Sequence, residues 1–304
     1  MPINNINSAQ QPALQSDDVD TSTDVTSTAA PEPQPANAPN FNDRNAIAVT
    51  ISDPNAPLVV LYGPPACGKT MTMVRLTRFL HKRGYDIQPD TTFRHSGDTR
   101  YKERCDQFSD AIQSDRAAES TANIDFMLIK VRKNSRTICQ ILEAPGEGYF
   151  DPQHPRQDYP SYVHHILKSD NRKIWAIFLE PNWLDTSDRN NYVSRVSQLA
   201  TMMQPQDKVL FIYNKVDKTH CVVRNGIVRK KYVLEAAMQQ YVNMFEPFRN
   251  THPISRWWRE WDCGFVPFQT GSYTELVTGG QQYIESSDRY CSQLWEDLLS
   301  TIRG

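Results

Sequence analysis

One short stretch of the chain combines glycine, lysine and threonine at a spacing that suits phosphate binding. Gly63 and Gly68, followed by Lys69 and Thr70, satisfy the pattern G-x-x-x-x-G-K-[ST]. In such a loop the backbone N–H groups surround a phosphate, the lysine reaches the outer phosphates, and the threonine hydroxyl ligates Mg²⁺. Because this stretch lies between an apolar strand and an amphipathic helix, the pattern indicates a phosphate-binding loop.

The whole loop is expected to line the nucleotide phosphates. One position differs from the others, since Pro65 has no backbone N–H and the loop therefore offers one donor fewer there. The residues predicted to contact the nucleotide are Gly63, Pro64, Pro65, Ala66, Cys67, Gly68, Lys69, Thr70 and Met71.

A second group of polar residues follows a buried strand later in the chain. Asn214, Lys215 and Asp217 come directly after the apolar run 208–213, and ligands bind at the carboxyl ends of strands in open α/β sheets. The Asp217 carboxylate can accept from two adjacent donors, which guanine presents as its ring N–H and exocyclic amine, whereas adenine presents an acceptor there. Asn214 is expected to tie this segment to the phosphate loop, and Lys215 to lay its stem against the base. The pattern predicts a guanine-nucleotide site.

The elements around these motifs are predicted to alternate between strands and helices. The alternation predicts a three-layer α/β domain whose sheet is mostly parallel, with one antiparallel strand supplied by a hairpin. Apolar runs predict strands over 58–62, 124–131, 137–142, 174–179, 208–213 and 263–268, and a small hairpin over 222–228. Periodic apolar positions predict helices over 70–83, 99–118, 162–168, 189–203, 232–248 and 288–302.

Composition divides the chain into a polar tail and one domain. Residues 1–45 are rich in Asn, Gln, Ser, Thr, Asp and Pro and have few large apolar side chains, which predicts a disordered tail. Residues 46–304 are expected to form a single domain with insertions at about 85–120 and about 220–260.

Charge and cysteine usage narrow the possible partners and compartment. The chain has 33 basic and 35 acidic residues, so it lacks the global basic field that favours nucleic acid as a partner. Its six cysteines are scattered without a C-x-x-C pair, which favours reduced thiols in a cytoplasmic protein over disulfides or a zinc site. We expect no signal peptide and no membrane anchor, because the sequence has no apolar run of sufficient length and no lipidation motif.

The order of the motifs resembles that of the P-loop GTPases of the Ras-like and translation-factor type. GPPACGKT (63–70) looks like the first motif of that family, and EAPG (143–146) is similar to the third, which normally reads Asp-x-x-Gly. NKVD (214–217) is similar to the fourth motif and QTGS (269–272) to the fifth. The resemblance covers about residues 55–304 and implies a small-GTPase-like P-loop NTPase fold.

The resemblance also implies contacts to the base and to Mg²⁺. Thr270, Gly271 and Ser272 would lie at the base, with the Gly271 N–H contacting the guanine oxygen. The second motif is a single threonine that ligates Mg²⁺ in the triphosphate state only. Thr121 is preferred for this position, with Thr91 and Thr92 as rivals.

The implied activity is Mg²⁺-dependent hydrolysis of GTP to GDP by a molecular switch. Lys69 and Mg²⁺ would neutralise charge on the β- and γ-phosphates, and the Gly146 N–H would bind the γ-phosphate. The metal would be held by Thr70, Thr121 and, through a water, Glu143. Loss of the γ-phosphate would free both flanking loops, so that a protein effector or regulator could read the state.

Two acidic residues depart from the family pattern and keep alternatives open. Glu143 stands where the family usually has aspartate, and Glu147 stands where Ras-like members have glutamine and translation factors histidine. The Glu147 carboxylate is repelled by a γ-phosphate unless it is protonated or turned away, although it could also act as a base. The alternatives are a GTP-binding interaction module that does not hydrolyse GTP, and an ATP-using P-loop enzyme.

Overall fold

The computed structural model describes residues 43, 47–113, 126–181, 183, 185–223, 227–253, 257, 260–275 and 281–304. The strands of the main sheet are β1 (Leu58–Tyr62), β2 (Asp86–Pro89), β3 (Met127–Lys133), β4 (Arg136–Glu143), β5 (Lys173–Leu179), β6 (Lys208–Tyr213) and β9 (Cys263–Pro267). Two small hairpins are formed by β7 (Val222–Val223) with β8 (Ile227–Val228), and by β10 (Gly271–Glu275) with β11 (Gln281–Glu285). The helices are α1 (Lys69–Lys82), α2 (Thr99–Gln113), α3 (Gly146–Tyr149), α4 (Ser161–Lys168), α5 (Thr186–Met202), α6 (Lys230–Gln240) and α7 (Asp288–Arg303).

The main sheet has the strand order β2-β3-β4-β1-β5-β6-β9. Neighbouring strands from β4 to β9 are all parallel, whereas β3 is antiparallel to both β4 and β2. Therefore β3 is the one antiparallel strand of this sheet. The predicted fold class, an α/β domain with a mostly parallel sheet and one antiparallel strand, is confirmed.

Helices cover both faces of the sheet, which gives three layers. On one face, the ring of Tyr62 in β1 stacks on Tyr192 of α5 at 6.3 Å between centroids. Leu61 precedes Tyr62 in β1 and therefore points to the opposite face of the sheet. The strand register places Gly264 of β9 on the same face as Leu61. A Cβ on Gly264 would lie 3.7 Å from the Thr301 hydroxyl, so α7 packs on that second face.

The central strands are apolar because both of their faces are covered. Every residue of β1 and β5 is buried, including Trp175. Continuous apolar runs are the expected sequence of strands that lie between two helical layers. These strands could therefore be recognised from the sequence without knowledge of their neighbours.

Several elements differ from the sequence expectations, including the single turn of α3, where no helix is predicted. The edge strand β2 was not predicted, because Asp86–Pro89 alternates exposed and half-buried residues and has a single apolar side chain, Ile87. The hairpin β10–β11 was not predicted either. Helix α6 ends at Gln240 rather than at Phe248, since the Gln240 amide donates to two carbonyls after β5 and Asn243 takes a left-handed φ of 66°.

In the described residues we find no helix with the length and apolar character needed to cross a bilayer.

Candidate functional site

The parallel strands bring most of the predicted motifs to one edge of the sheet. The phosphate loop follows β1, Glu143 ends β4, Asn214 follows β6, and the loop from Phe268 follows β9. All four strands run in the same direction, so their carboxyl ends lie at the same edge. This is the edge at which open α/β sheets bind ligands.

The backbone of the phosphate loop requires glycine at both ends. A Cβ on Gly63 would lie 2.8 Å from the Cys67 Sγ, and one on Gly68 would lie 2.3 Å from the Asn214 Nδ2. Gly68 has a φ of 93°, and the exposed Ala66 has a φ of 60°, so two residues of this loop are left-handed. Pro64 is buried, Pro65 is half-buried, and Met71 is half-buried in the first turn of α1.

Lys69 points into its own loop. Its side chain is buried, and Nζ donates to the carbonyls of Gly63 at 3.1 Å and Pro64 at 3.0 Å. These two carbonyls accept the hydrogen bonds of the ammonium group. Phosphate oxygens could replace them as acceptors. Burial raises the pKa of the Cys67 thiol above its usual value, and the Lys69 charge nearby only partly opposes this.

Thr70 and Glu143 place oxygen ligands beside the phosphate loop. The Thr70 Oγ1 donates to the Glu143 Oε1 at 3.0 Å, and the Phe126 backbone N–H donates to Oε2 at 2.9 Å. Hydroxyl and carboxylate oxygens are ligands that Mg²⁺ uses, commonly with water and substrate phosphates completing its octahedron. The residues present at this point therefore fit a Mg²⁺ ion.

The candidate switch threonines lie in different surroundings. Thr121, the preferred candidate, lies outside the described residues. Thr92 donates its hydroxyl to the Asp90 Oδ1 at 2.7 Å and its N–H to the same oxygen at 3.0 Å. Thr91 precedes it in an exposed turn after β2. In this structure the Thr92 hydroxyl is thus held by Asp90 rather than directed at Thr70.

Gly146 lies directly against the phosphate loop. A Cβ at this position would be 2.3 Å from the Pro65 nitrogen and 2.5 Å from the Pro64 carbonyl carbon. Glu147 is exposed in the single turn of α3, and it lines a cavity of about 120 Å³ together with Asp151, among other residues. The third motif therefore contacts the phosphate loop through its glycine backbone.

Asn214 connects the fourth motif to the phosphate loop. Its Nδ2 donates to the Cys67 carbonyl at 2.9 Å, and its backbone N–H donates to the Leu179 carbonyl at 2.8 Å. Its Oδ1 is buried and accepts no hydrogen bond from the described residues. Through its backbone and its side chain, this one residue joins the ends of β5 and β6 to the loop after β1.

Lys215 is held by a residue that sequence reasoning missed. Its Nζ donates to the Ala66 carbonyl at 3.1 Å and pairs with the carboxylate of Glu180, and Lys215 itself takes a left-handed φ of 55°. Glu180 directly follows β5, as Asn214 follows β6. A polar residue immediately after a buried apolar run is the signal that could have identified Glu180.

The segment that contains Asp217 contacts the residue just before the fifth motif. Asp217 is exposed in a short 3-10 helix, Val216–Lys218, whose first N–H donates to the Phe268 carbonyl at 3.2 Å. Burial and the nearby Asp217 carboxylate raise the pKa of Tyr290 in α7 above its usual value. Thr270 ends the loop after β9, while Gly271 and Ser272 begin β10.

A separate cavity of about 800 Å³ lies away from this edge. It is lined by residues from the start of β4 and the end of α7, including Arg136 and Ile302. None of the residues predicted to bind nucleotide or metal lines this cavity. This cavity is therefore separate from the residues predicted to bind nucleotide.

The structure combines a mostly parallel α/β sheet with a G-x-x-x-x-G-K-[ST] motif in the loop after its strand β1. No protein-family model matches the chain, and no curated protein matches it. Among solved structures, it is similar to nucleolar GTP-binding protein 1 of Plasmodium falciparum, with 10% identity and a TM-score of 0.40 over 84% of this chain and 90% of that one.

A second similar structure is Methanosarcina barkeri Roco2 RocCORdC bound to GDP. The identity is 13% and the TM-score 0.33, over 84% of this chain and 50% of that one, so the match spans half the length of the Roco2 chain. At these values neither likeness bears on the activity of this protein.

Proposed function

We propose that this protein binds GTP and GDP together with Mg²⁺, and that it hydrolyses GTP to GDP and phosphate as a molecular switch. The observation that carries the proposal is the hydrogen bond of 2.9 Å from the Asn214 Nδ2 to the Cys67 carbonyl. It joins the segment 214–217, to which we assign the guanine base, to the loop 63–70, to which we assign the phosphates. A nucleotide can then contact Lys69 and Asp217 at the same time.

Base recognition is assigned to Asp217 and Lys215. The exposed Asp217 carboxylate is available to accept from the ring N–H and exocyclic amine of guanine. The pairing of Lys215 with Glu180 and the Ala66 carbonyl supports a fixed lysine stem beside the base. Adenine, which presents an acceptor at its ring nitrogen, would face the carboxylate unfavourably.

Phosphate recognition is assigned to the loop 63–70 and to Gly146. Lys69 would exchange its two loop carbonyls for phosphate oxygens and neutralise their charge. A Mg²⁺ ion held by Thr70 and, through water, by Glu143 would add positive charge beside the β- and γ-phosphates. The close approach of Gly146 to Pro64 and Pro65 supports a γ-phosphate contact from its N–H.

The proposed switch function depends on two contacts that exist only when the γ-phosphate is present. Thr121 would ligate the metal, and Gly146 would bind the γ-phosphate, in the triphosphate state only. A partner protein, as effector or regulator, would distinguish the two states. We expect a low intrinsic rate, because the Glu147 carboxylate is repelled by the γ-phosphate.

Nucleotide competition tests the binding half of the proposal. A fluorescent guanine nucleotide bound to the protein should be displaced by GTP and GDP and only weakly by ATP. Equal displacement by ATP and GTP would contradict guanine recognition and favour the ATP-using alternative.

Phosphate release in multiple turnovers, compared with Lys69→Ala, tests hydrolysis. Tight GTP binding without release above this control would favour the non-hydrolysing module.

The variant Asp217→Asn tests the base contact itself. The asparagine amide offers both a donor and an acceptor, so the preference should shift from guanine towards xanthine nucleotides. The matched control is Asp170→Asn, at an exposed aspartate at the opposite end of the sheet. An unchanged preference in Asp217→Asn would remove Asp217 from the base site.

A further inference from the structure

The hairpin β10–β11 contacts the loop that the proposed function places at the base. Tyr283 in β11 donates its hydroxyl to the Thr270 carbonyl at 2.8 Å. Ser286, just after β11, donates its hydroxyl to the Gln269 carbonyl at 2.5 Å and its N–H to the Thr270 carbonyl at 3.1 Å. The two carbonyls before Gly271 are thus both held by the second strand of the hairpin and the turn after it.

The same turn is fixed to the helix that begins at the phosphate loop. Arg75 of α1 donates to the Ser286 carbonyl at 2.8 Å and to the Asp288 carboxylate at 2.6 Å. Arg78, one turn further along α1, pairs with the Glu285 carboxylate. Both arginine side chains are only 3% exposed, whereas the carboxylates of Asp288 and Glu285 are 58% and 27% exposed. A continuous chain of contacts therefore runs from α1 to the backbone of Gln269 and Thr270.

The register of the hairpin determines the direction of the Gly271 N–H. The Ser286 N–H bonds to the Thr270 carbonyl directly opposite, whereas Gly271 lies opposite Glu285. Residue pairs in an antiparallel ladder alternate between hydrogen-bonded and non-hydrogen-bonded. The Gly271–Glu285 pair is therefore non-hydrogen-bonded, and the Gly271 N–H points away from β11.

Close packing of β11 leaves no room for a side chain at Gly271. A Cβ there would lie 2.3 Å from the Ile284 carbonyl oxygen and 2.7 Å from the Tyr283 ring. The backbone of this residue is thus confined by the opposite strand as well as by the held carbonyls before it.

We propose that the hairpin β10–β11 positions the Gly271 N–H so that it can contact the substituent at C6 of the purine. Tyr283 and Ser286 are positioning residues that fix the Gln269 and Thr270 carbonyls, so that the Gly271 N–H is directed at the guanine oxygen. Arg75 and Arg78 fix this hairpin relative to the phosphate loop. The inference rests on the proposed guanine-nucleotide function, and it assigns the residues that position the Gly271 N–H, a contact that the family resemblance implies and that is separate from Asp217.

A nucleotide with one altered atom tests this assignment. 6-Thio-GTP keeps both donors that face Asp217 and replaces the guanine oxygen by sulfur, a weaker acceptor. We expect the wild-type protein to bind GTP more tightly than 6-thio-GTP. In Tyr283→Phe/Ser286→Ala this preference should fall by about threefold to tenfold, the range of one or two ordinary hydrogen bonds.

Matched variants and outcomes separate positioning from general destabilisation. Tyr232→Phe and Ser197→Ala are controls, because Tyr232 is exposed on α6 and the Ser197 hydroxyl donates to a carbonyl within α5. A purely structural role of the hairpin would weaken both nucleotides equally and leave the preference unchanged, which would overturn the inference. A wild-type protein that binds GTP and 6-thio-GTP equally would overturn it as well.

The proposed function and this inference fail in different ways. Wild-type protein that binds ATP as well as GTP contradicts the proposed function, whereas GTP selectivity with an unchanged thio preference contradicts the inference alone. If thermal unfolding shows that the double variant is not folded, Glu285→Gln carries the same measurement. It keeps the side-chain size and removes the charge that faces Arg75 and Arg78.

Discussion

The hydroxyl of Thr70 donates a hydrogen bond to the Oε1 of Glu143 across 3.0 Å. The other oxygen of the same carboxylate accepts the Phe126 N–H at 2.9 Å. Glutamate is one methylene longer than the aspartate found at this place in the family that the sequence resembles. A single carboxylate thus connects the start of α1 to the residue just before β3.

Removing the charge of Glu143 should weaken the contribution of Mg²⁺ to nucleotide binding. In Glu143→Gln the side chain keeps its size but loses a charged acceptor beside Thr70, the proposed metal ligand. We expect the Mg²⁺-induced gain in GDP affinity to fall by about tenfold or more, since tenfold is the lower end of the value of one hydrogen bond to a charged group. Titration of GDP with and without Mg²⁺ measures this gain.

The control for that variant is Glu246→Gln, at an exposed glutamate. It should show the wild-type response to Mg²⁺. An unchanged response in Glu143→Gln would remove Glu143 from the proposed metal site.

Truncation of Asn214 should affect both folding stability and nucleotide release. Asn214→Ala leaves the buried Cys67 carbonyl without its side-chain donor, which lowers the free energy of unfolding by about 1–3 kcal/mol. Because the tie between the two motifs is lost, a fluorescent GDP should also dissociate faster. Denaturant unfolding and stopped-flow dissociation measure the two effects.

Asn171 provides a matched control for this effect. Its buried amide donates to the carbonyls of Asp53 at 2.8 Å and Ala56 at 2.9 Å, near the opposite edge of the sheet. Asn171→Ala should lower the stability without changing the GDP release rate. Equal acceleration of release in both variants would show that the Asn214 effect is general destabilisation.

A methyl group at Gly146 should disturb the contact between the third motif and the phosphate loop. In Gly146→Ala the new Cβ would meet backbone atoms of Pro64 and Pro65 at 2.5 Å and 2.3 Å. Since backbone cannot rotate away, we expect a loss of about 1–3 kcal/mol in the free energy of unfolding. The affinity for a non-hydrolysable GTP analogue should fall more than the affinity for GDP.

Equilibrium binding of both nucleotides measures this difference. Gly304→Ala is the control, because a Cβ there would be 3.5 Å from the Ser300 carbonyl oxygen, an ordinary contact. An equal loss of affinity for the GTP analogue and GDP in Gly146→Ala would contradict a specific γ-phosphate contact.

The loop after β2 should make stability depend on pH through Asp90. Burial by itself would raise the pKa of Asp90, but hydrogen bonds from Ser52 and Thr92 outweigh it and the pKa is lowered. The native state then binds the proton less readily than the unfolded state. The stabilisation is present above the usual aspartate pKa of about 3.9, and it is lost as the pH falls below it.

Urea unfolding between about pH 3 and pH 6 measures this contribution. In Asp90→Asn the free energy of unfolding should be lower near neutral pH, and it should fall less steeply with acidification than in the wild type. Asp170→Asn, at an exposed position, should retain the wild-type slope. An unchanged slope in Asp90→Asn would show that other carboxylates determine the acid limit.

Some features of this protein could be predicted from the sequence because they depend on contiguous residues. The phosphate loop 63–70 is recognised by local spacing, and the buried strands β1, β5 and β6 are recognised by continuous apolar runs. The mostly parallel α/β fold follows from the alternation of these strands with helices. The placement of Asn214 after a buried strand likewise depends only on local pattern.

Other features depend on pairs of residues that are distant in the sequence. The edge strand β2 has little apolar sequence, and its pairing with β3 makes it a strand. The contact of Glu180 with Lys215 arises because β5 and β6 are neighbours in the sheet. The hairpin β10–β11 is held by Arg75 and Arg78, more than 200 residues earlier in the chain. A local pattern contains no information about such partners, so only the tertiary structure could decide which residues position the candidate base site.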